Sequence, residues 1–198
     1  MRLSYQQFWF LLWAWLGAVP VKQLARLSGL HRNDIYRWFD LFRAQLPENP
    51  VILGKLVQLD EAFFKRQAVM AAKVKGGRAC AAVVFTGHPQ KQHVFAFARN
   101  YIAPYSQLNT DGGGHYRRID SWWPVKHQYE RHAKWEFALT SEIEGWFGNL
   151  RTFLRRMYHH VTPEKLPEYV REFSARFSSP EMFKDPRIYL QKTLSLVP

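Results

Sequence analysis

VILGKLVQLDEAFF, residues 51–64, is the stretch on which the reading of this chain turns. Leu56, Val57 and Leu59 form a short apolar run, and Asp60 and Glu61 follow at once. That pattern predicts a buried strand with a carboxylate at or near its end. Working outward, no acidic residue occurs from Ala62 to Thr110, while seven lysines and arginines do. The next carboxylate is Asp111, in QLNTDGGGHY, where three glycines follow it. A carboxylate at a strand end beside small residues leaves room for a ligand to approach. Either aspartate alone would more often be a cap or turn residue. The set is what carries information.

The third member of the set lies in TSEIEGWFGNLRTFLRRMYHH, residues 140–160. Ile143, Trp146, Phe147, Leu150, Phe153, Leu154 and Met157 recur at three- and four-residue steps, which predicts one amphipathic helix. Glu144 stands beside that apolar face, and Arg151 follows seven residues on, nearly two turns further along the same side. Arg155 and Arg156 come next. Converging Asp60, Asp111 and Glu144 would repel one another unless cations sat between them. Hard oxygen ligands in an open site suit Mg²⁺ or Mn²⁺. Two such ions serve in-line attack on a phosphodiester, with Arg151 holding a phosphate beside the site.

Composition agrees with that partner. The chain has 198 residues, 47% hydrophobic, with a formal charge of +12, which favours nucleic acid over a membrane surface. Cys80 is the only cysteine, so no disulfide framework and no cysteine-based zinc ribbon can form within the chain. FWFLLWAWLGAVPV, residues 8–21, is uncharged but shorter than the roughly 20 apolar residues a spanning helix needs, and Gly17 and Pro20 interrupt it. It is expected to be a buried first helix. Neither a signal peptide nor a membrane partner is expected.

Residues 1–50 are helical in pattern and end at LPENPV, whose prolines mark a linker. VKQLARLSGLHRNDIYRWFDLF, residues 21–42, has helix-turn-helix spacing: Ala25 where two helices approach, Gly29 at the turn, then Ile35, Trp38, Phe39, Phe42 and Leu46 inward. Arg32, Asn33, Tyr36, Arg37 and Arg43 are expected to face outward and contact bases and phosphates in a major groove. The bland alternative is a small helical bundle with a basic solvated face.

VQLDEAFF, NTDGGGHY and SEIEGWFGNLRTFLRRMYHHVTPEKLPEYVREFSARF together resemble the IS1595-group transposases, those with the ISXO2-like transposase domain, over about residues 55–178. The resemblance implies a DDE-type enzyme that cuts and joins insertion-sequence ends. Its fold would be α/β, a compact RNase H-like mixed sheet with flanking helices, preceded by the all-α helix-turn-helix domain. It places Asp60, Asp111 and Glu144 in the metal-binding roles, with two Mg²⁺ or Mn²⁺ ions. Arg151 stands where the family commonly has lysine, which keeps the charge and changes the donor geometry. Ser141 stands where many members have asparagine. The implied partners are double-stranded DNA, both element ends and target, and further copies of the chain in a homodimer or higher oligomer. The implied setting is the prokaryotic cytoplasm, at the nucleoid.

Other residues carry two readings each. His127 matches a family histidine and is either part of the site or an ordinary surface histidine. His159 and His160 are adjacent and so cannot chelate one ion from a helix; packing or phosphate contact is expected. Trp122 and Trp123 either stack on unpaired bases or, more commonly for tryptophan, pack in the core.

The expected division is a DNA-binding domain over 1–50, a catalytic domain over 51–178 and an appendage over 179–198. Only 51 residues separate Asp60 from Asp111. ACAAVVFTGHPQKQHVFAFARNYI reads either as a hairpin or as a strand followed by a crossover helix over QKQHVFAFARNYI. The helix is preferred, and it leaves the third strand of the core missing. The apolar face of residues 162–178 is expected to pack on the sheet, and a partner-subunit contact is one use for the appendage. A compressed core keeps two other functions open: an inactive DNA-binding relative, and a metal-dependent nuclease without strand transfer.

Overall fold

The structure is a computed structural model that describes residues 3–47, 51–84, 87–129 and 139–194. Its centre is a five-stranded mixed sheet of β1 (Leu56–Phe64), β2 (Gln67–Val74), β3 (Ala79–Val84), β4 (Gln107–Thr110) and β5 (Lys126–Tyr129), in the order β3-β2-β1-β4-β5. The first three strands form an antiparallel meander, and β4 joins β1 in parallel, as β5 joins β4. This arrangement is compatible with an RNase H-like fold.

The third strand is therefore present, contrary to the expectation from spacing. The antiparallel partner of β1 is QAVMAAKV, immediately after the two-residue turn at Lys65 and Arg66, where Lys65 adopts φ +52°. The ACAAVV segment then pairs with β2, not with HVFAFA. Tight turns let three strands fit into residues 56–84. The chain between β3 and β4 thus remains long enough for a crossover, which takes a dozen or more residues. That crossover carries α4 (Lys91–Tyr101), as preferred from sequence, with Val94, Phe97 and Ala98 buried against the sheet.

Each face of the sheet has its own core. Val57, Leu59, Met70, Ala72 and Leu108 pack with α4 and with Tyr116 and Ile119. Ala62, Val69 and Ala71 pack on the other face with α5 (Ser141–Tyr158) and α6 (Leu166–Ser178). As expected, α6 lies on the sheet. Its Ser178 hydroxyl accepts from the Ala79 backbone N–H (3.0 Å) and donates to the Ala79 carbonyl (2.6 Å), which satisfies the backbone of an edge strand.

The N-terminal helices are α1 (Tyr5–Leu16), α2 (Val21–Ser28) and α3 (Arg32–Ala44). Gly29 stops α2 in the left-handed region at φ +67°, and its N–H donates to the Ala25 carbonyl (3.2 Å), which turns the chain into α3. Leu11, Trp15, Ile35 and Phe39 belong to the same continuous core as α5 and α6. Residues 48–50 of the expected linker lie outside the described residues. No helix of the described residues is long and apolar enough to cross a membrane.

One expected DNA contact is corrected here. Arg43 is 1% exposed and does not face outward. Its Nε donates to Glu172 on α6 (2.9 Å), one terminal nitrogen to Asp40 (2.6 Å) and the other to the Tyr158 hydroxyl (3.0 Å). Glu172 is itself fully buried and also receives Arg176 (2.9 Å) and Tyr158 (2.6 Å). Burial opposes ionisation of Glu172, but Arg176 and Arg43 hold its carboxyl below the usual range. Arg43 thus binds α3 to α5 and α6. The segment after residue 178 likewise closes on the N-terminal helices. Tyr189 of α7 (Pro186–Leu194) is buried edge-on to Trp15, and its hydroxyl donates to the Phe42 carbonyl (2.6 Å).

Candidate active site

The site forms where β1, β4 and the start of α5 meet. The parallel register pairs Leu56 with Gln107, Val57 with Leu108 and Gln58 with Asn109. Asp60 lies two residues beyond the last of these pairs, and Asp111 directly follows the end of β4, near enough for its charge to act on Asp60. Asp60 shares its face of β1 with Gln58 and Ala62, the face that packs on α5.

Two contacts fix α5 against that face. The buried Gln58 side-chain oxygen accepts from the Ile143 backbone N–H (2.9 Å), in the first turn of the helix. Glu142 accepts from the Gly76 backbone N–H (2.9 Å) and pairs with Lys73 of β2. Glu144 is the next residue but one and is exposed. Its placement follows from those two anchors.

Asp111 leaves β4 on a turn that the glycines make possible. Gly112 adopts φ +78°, and the Gly113 N–H donates to Asp111 Oδ1 (2.9 Å). A Cβ on Gly113 would lie 2.9 Å from the His115 ring and 3.2 Å from Asp111 Oδ1, so a side chain there would have to displace the His115 ring. His115 Nε2 donates to Glu61 Oε2 (3.0 Å), and the Tyr116 hydroxyl donates to the same oxygen. Burial alone would raise the Glu61 carboxyl, yet the His115 and Tyr116 hydrogen bonds bring it below its ordinary value. Glu61 points to the opposite face from Asp60 and ties down the loop that follows Asp111. Sequence reasoning missed this role; the signal was the Asp–Glu pair combined with His–Tyr after the glycines.

Electrostatics mark Asp60 out. Burial pushes its carboxyl up to about 7, a backbone hydrogen bond from Glu61 opposes the rise, and the charges of Glu61, Asp111 and Glu144 add to it. In a chain of net charge +12, this negative cluster is a local exception. Among the described residues no three His, Cys, Asp or Glu side chains close on a single point as a metal site would. The charges of Asp111 and Glu144 both act on Asp60, and the three groups carry the hard carboxylate oxygens that Mg²⁺ takes. In donor type, these side chains suit such an ion.

The remaining candidates divide. Arg151 is exposed on α5, its guanidinium over the Phe64 ring at 5.5 Å. Arg155 and Arg156 are exposed, as are Arg32, Asn33 and Arg37 on α3, whereas Tyr36 is half-buried. His127 on β5 shares a hydrogen bond with Thr110 next to Asp111 (3.0 Å), and burial lowers its proton affinity. His159 and His160 are exposed just after α5. Trp122 and Trp123 pack edge-on against Phe95, the core use of tryptophan.

Fold and site together define a mixed α/β protein with an acidic centre beside its two central parallel strands. The ISXO2-like transposase domain matches residues 60–178, more than half of the chain, and the chain belongs to that family of DDE-type transposases. Comparison with curated proteins gave no match. The family makes nucleotidyl transfer the general chemistry and DNA the partner.

Proposed function

We propose that this chain binds the ends of an insertion sequence and catalyses metal-dependent cleavage and strand transfer there. The observation that supports it best is the cluster itself: Asp60 on β1 feels the charges of Asp111, which follows the adjacent parallel strand, and of Glu144, on a helix that β1 and β2 anchor. Asp60, Asp111 and Glu144 would hold two Mg²⁺ or Mn²⁺ ions. Such ions, when bound, make water or a 3′-hydroxyl a better nucleophile and neutralise the leaving oxygen.

The protein's own groups supply placement. Glu61, His115 and Tyr116 hold the Asp111 loop, Gln58 and Glu142 hold α5, and Arg151 receives a phosphate oxygen. In the first step the oxygen of water bonds to phosphorus and the phosphorus–O3′ bond breaks, which leaves a free 3′-hydroxyl. In the second, that hydroxyl attacks a target phosphodiester, one P–O bond forms and one breaks, so no external energy source enters. End recognition falls to α2 and α3 as a helix-turn-helix, with Arg32, Asn33, Tyr36 and Arg37 toward DNA. Arg155 and Arg156 extend the basic surface along α5. A domain division at about residue 50 and assembly of two or more copies at paired ends belong to the same proposal.

The inactive-relative reading drew its strength from a compressed core with a missing strand, and β2, which completes the three-stranded meander, weakens that ground. The deciding experiment is a Mg²⁺- or Mn²⁺-dependent cleavage and strand-transfer assay on labelled element-end DNA, with Glu144→Gln in parallel. Joined product that disappears in the variant supports the proposal. Cleavage without joining favours a nuclease, and binding without product from either protein favours the inactive relative.

A further inference from the structure

A cavity of about 300 Å³ opens between the β1–β2 turn, the second half of α5 and the segment that enters α6. Phe64, Leu154 and Leu166 make its floor apolar, and Lys65, Arg151 and Arg155 line it with positive charge. One wall is polar. Gln67, paired across the turn with Phe64 and so on the same face, is 9% exposed, and its side-chain oxygen has no hydrogen-bond partner. A buried amide oxygen left without a donor is costly, and native proteins rarely keep one unless a ligand or water completes it.

The cavity is also close to the candidate chemistry. Phe64 lies four residues from Asp60 on the same face of β1, about 13 Å along the strand. Arg151 lies seven residues from Glu144, about 10 Å along the helix.

We infer that this cavity receives a single DNA base drawn out of the duplex next to the reacting strand. A nucleotide in that state has a flat apolar face, a polar edge and an anionic phosphate on either side, in the same arrangement as the floor, Gln67 and the cationic side chains. Bases stack on Phe rings and on arginine guanidinium planes alike, and Phe64 with Arg151 over it offers both. Rotation of the Gln67 side chain, whose oxygen is sealed from solvent without a donor, brings its amide to the base edge, as glutamine pairs with adenine. Lys65, Arg151 and Arg155 take the flanking phosphates. An apolar peptide or lipid chain would leave Gln67 and the three cations without partners.

This inference rests on the transposase reading, and its test separates the two. The full chain is titrated, without divalent metal, into a DNA duplex with one extrahelical adenine and into the same duplex with an abasic nucleotide at that position. The adenine duplex is expected to bind about 5- to 100-fold more tightly. Phe64→Ala, which removes the stacking face, and Gln67→Leu, which keeps the side chain's bulk while removing the amide, are each expected to narrow that gap. Equal affinity of the wild type for both duplexes overturns the base pocket and leaves DNA binding standing. A preference that survives both substitutions places the base elsewhere and overturns the assignment. Binding to neither duplex removes the DNA reading and the inference with it.

Discussion

Asp60→Asn is expected to stabilise the metal-free protein, and to do so only at neutral and alkaline pH. Asp60 is held at about 7 in the folded chain against an ordinary 3.8. Between those values the folded state keeps a proton that the unfolded state has released, so wild-type stability falls as pH rises through that window. Above about pH 7 the full penalty applies: at 1.36 kcal/mol per pH unit, a rise from 3.8 to about 7 corresponds to about 4 kcal/mol. Relaxation and water entry reduce this, so about 2–4 kcal/mol is the expected gain at pH 8, falling towards zero near pH 4. Urea unfolding in EDTA, followed by tryptophan fluorescence at both pH values, measures it. Mg²⁺ should then stabilise the wild type at pH 8 and have little effect on the variant. A variant no more stable than wild type at pH 8, or a gain of equal size at pH 4, would refute the account of Asp60 as a crowded, uncompensated carboxylate.

Other perturbations test separate parts of the structure. Glu172→Leu leaves Arg43 and Arg176 without their buried partner and should cost about 3–5 kcal/mol, seen as a lower urea midpoint. Gly112→Ala forces a Cβ into φ +78° and should cost about 1–2 kcal/mol, with a loss of cleavage larger than the loss of stability because Asp111 moves. Arg37→Ala should weaken DNA binding across all sequences and lower the salt slope by about 1, whereas Arg43→Ala should lower the thermal midpoint instead. If six to ten phosphates are engaged, affinity should fall about 10³- to 10⁵-fold between about 50 and 200 mM salt, and a flat response would argue against a phosphate-tracking surface.

The sequence by itself determined the local elements whose signals are periodic. The apolar seam from Ile143 to Met157, the turn at Gly29 and the crossover helix over residues 91–101 all follow from side-chain spacing, because a helix repeats every 3.6 residues whatever it packs against. Asp60 and Asp111 stood out because they bracket a long stretch without carboxylates, apart from Glu61 at its start, and Glu144 because it stands beside the apolar seam in a block that resembles the family. QAVMAAKV gave no such signal. As β2 it is buried on both faces, so it does not alternate, and alanine is a poor strand former. Its existence follows from its two neighbours and not from its own composition. Arg43 shows the same limit from the other side. On its own helix it reads as a solvated cation, and only α6, arriving 129 residues later with Glu172, makes it a buried one. Burial depends on which surfaces meet, and pairing register depends on distant strands. Only the tertiary structure decided those, and with them the crowding that raises Asp60 and the anchors that bring Glu144 beside it.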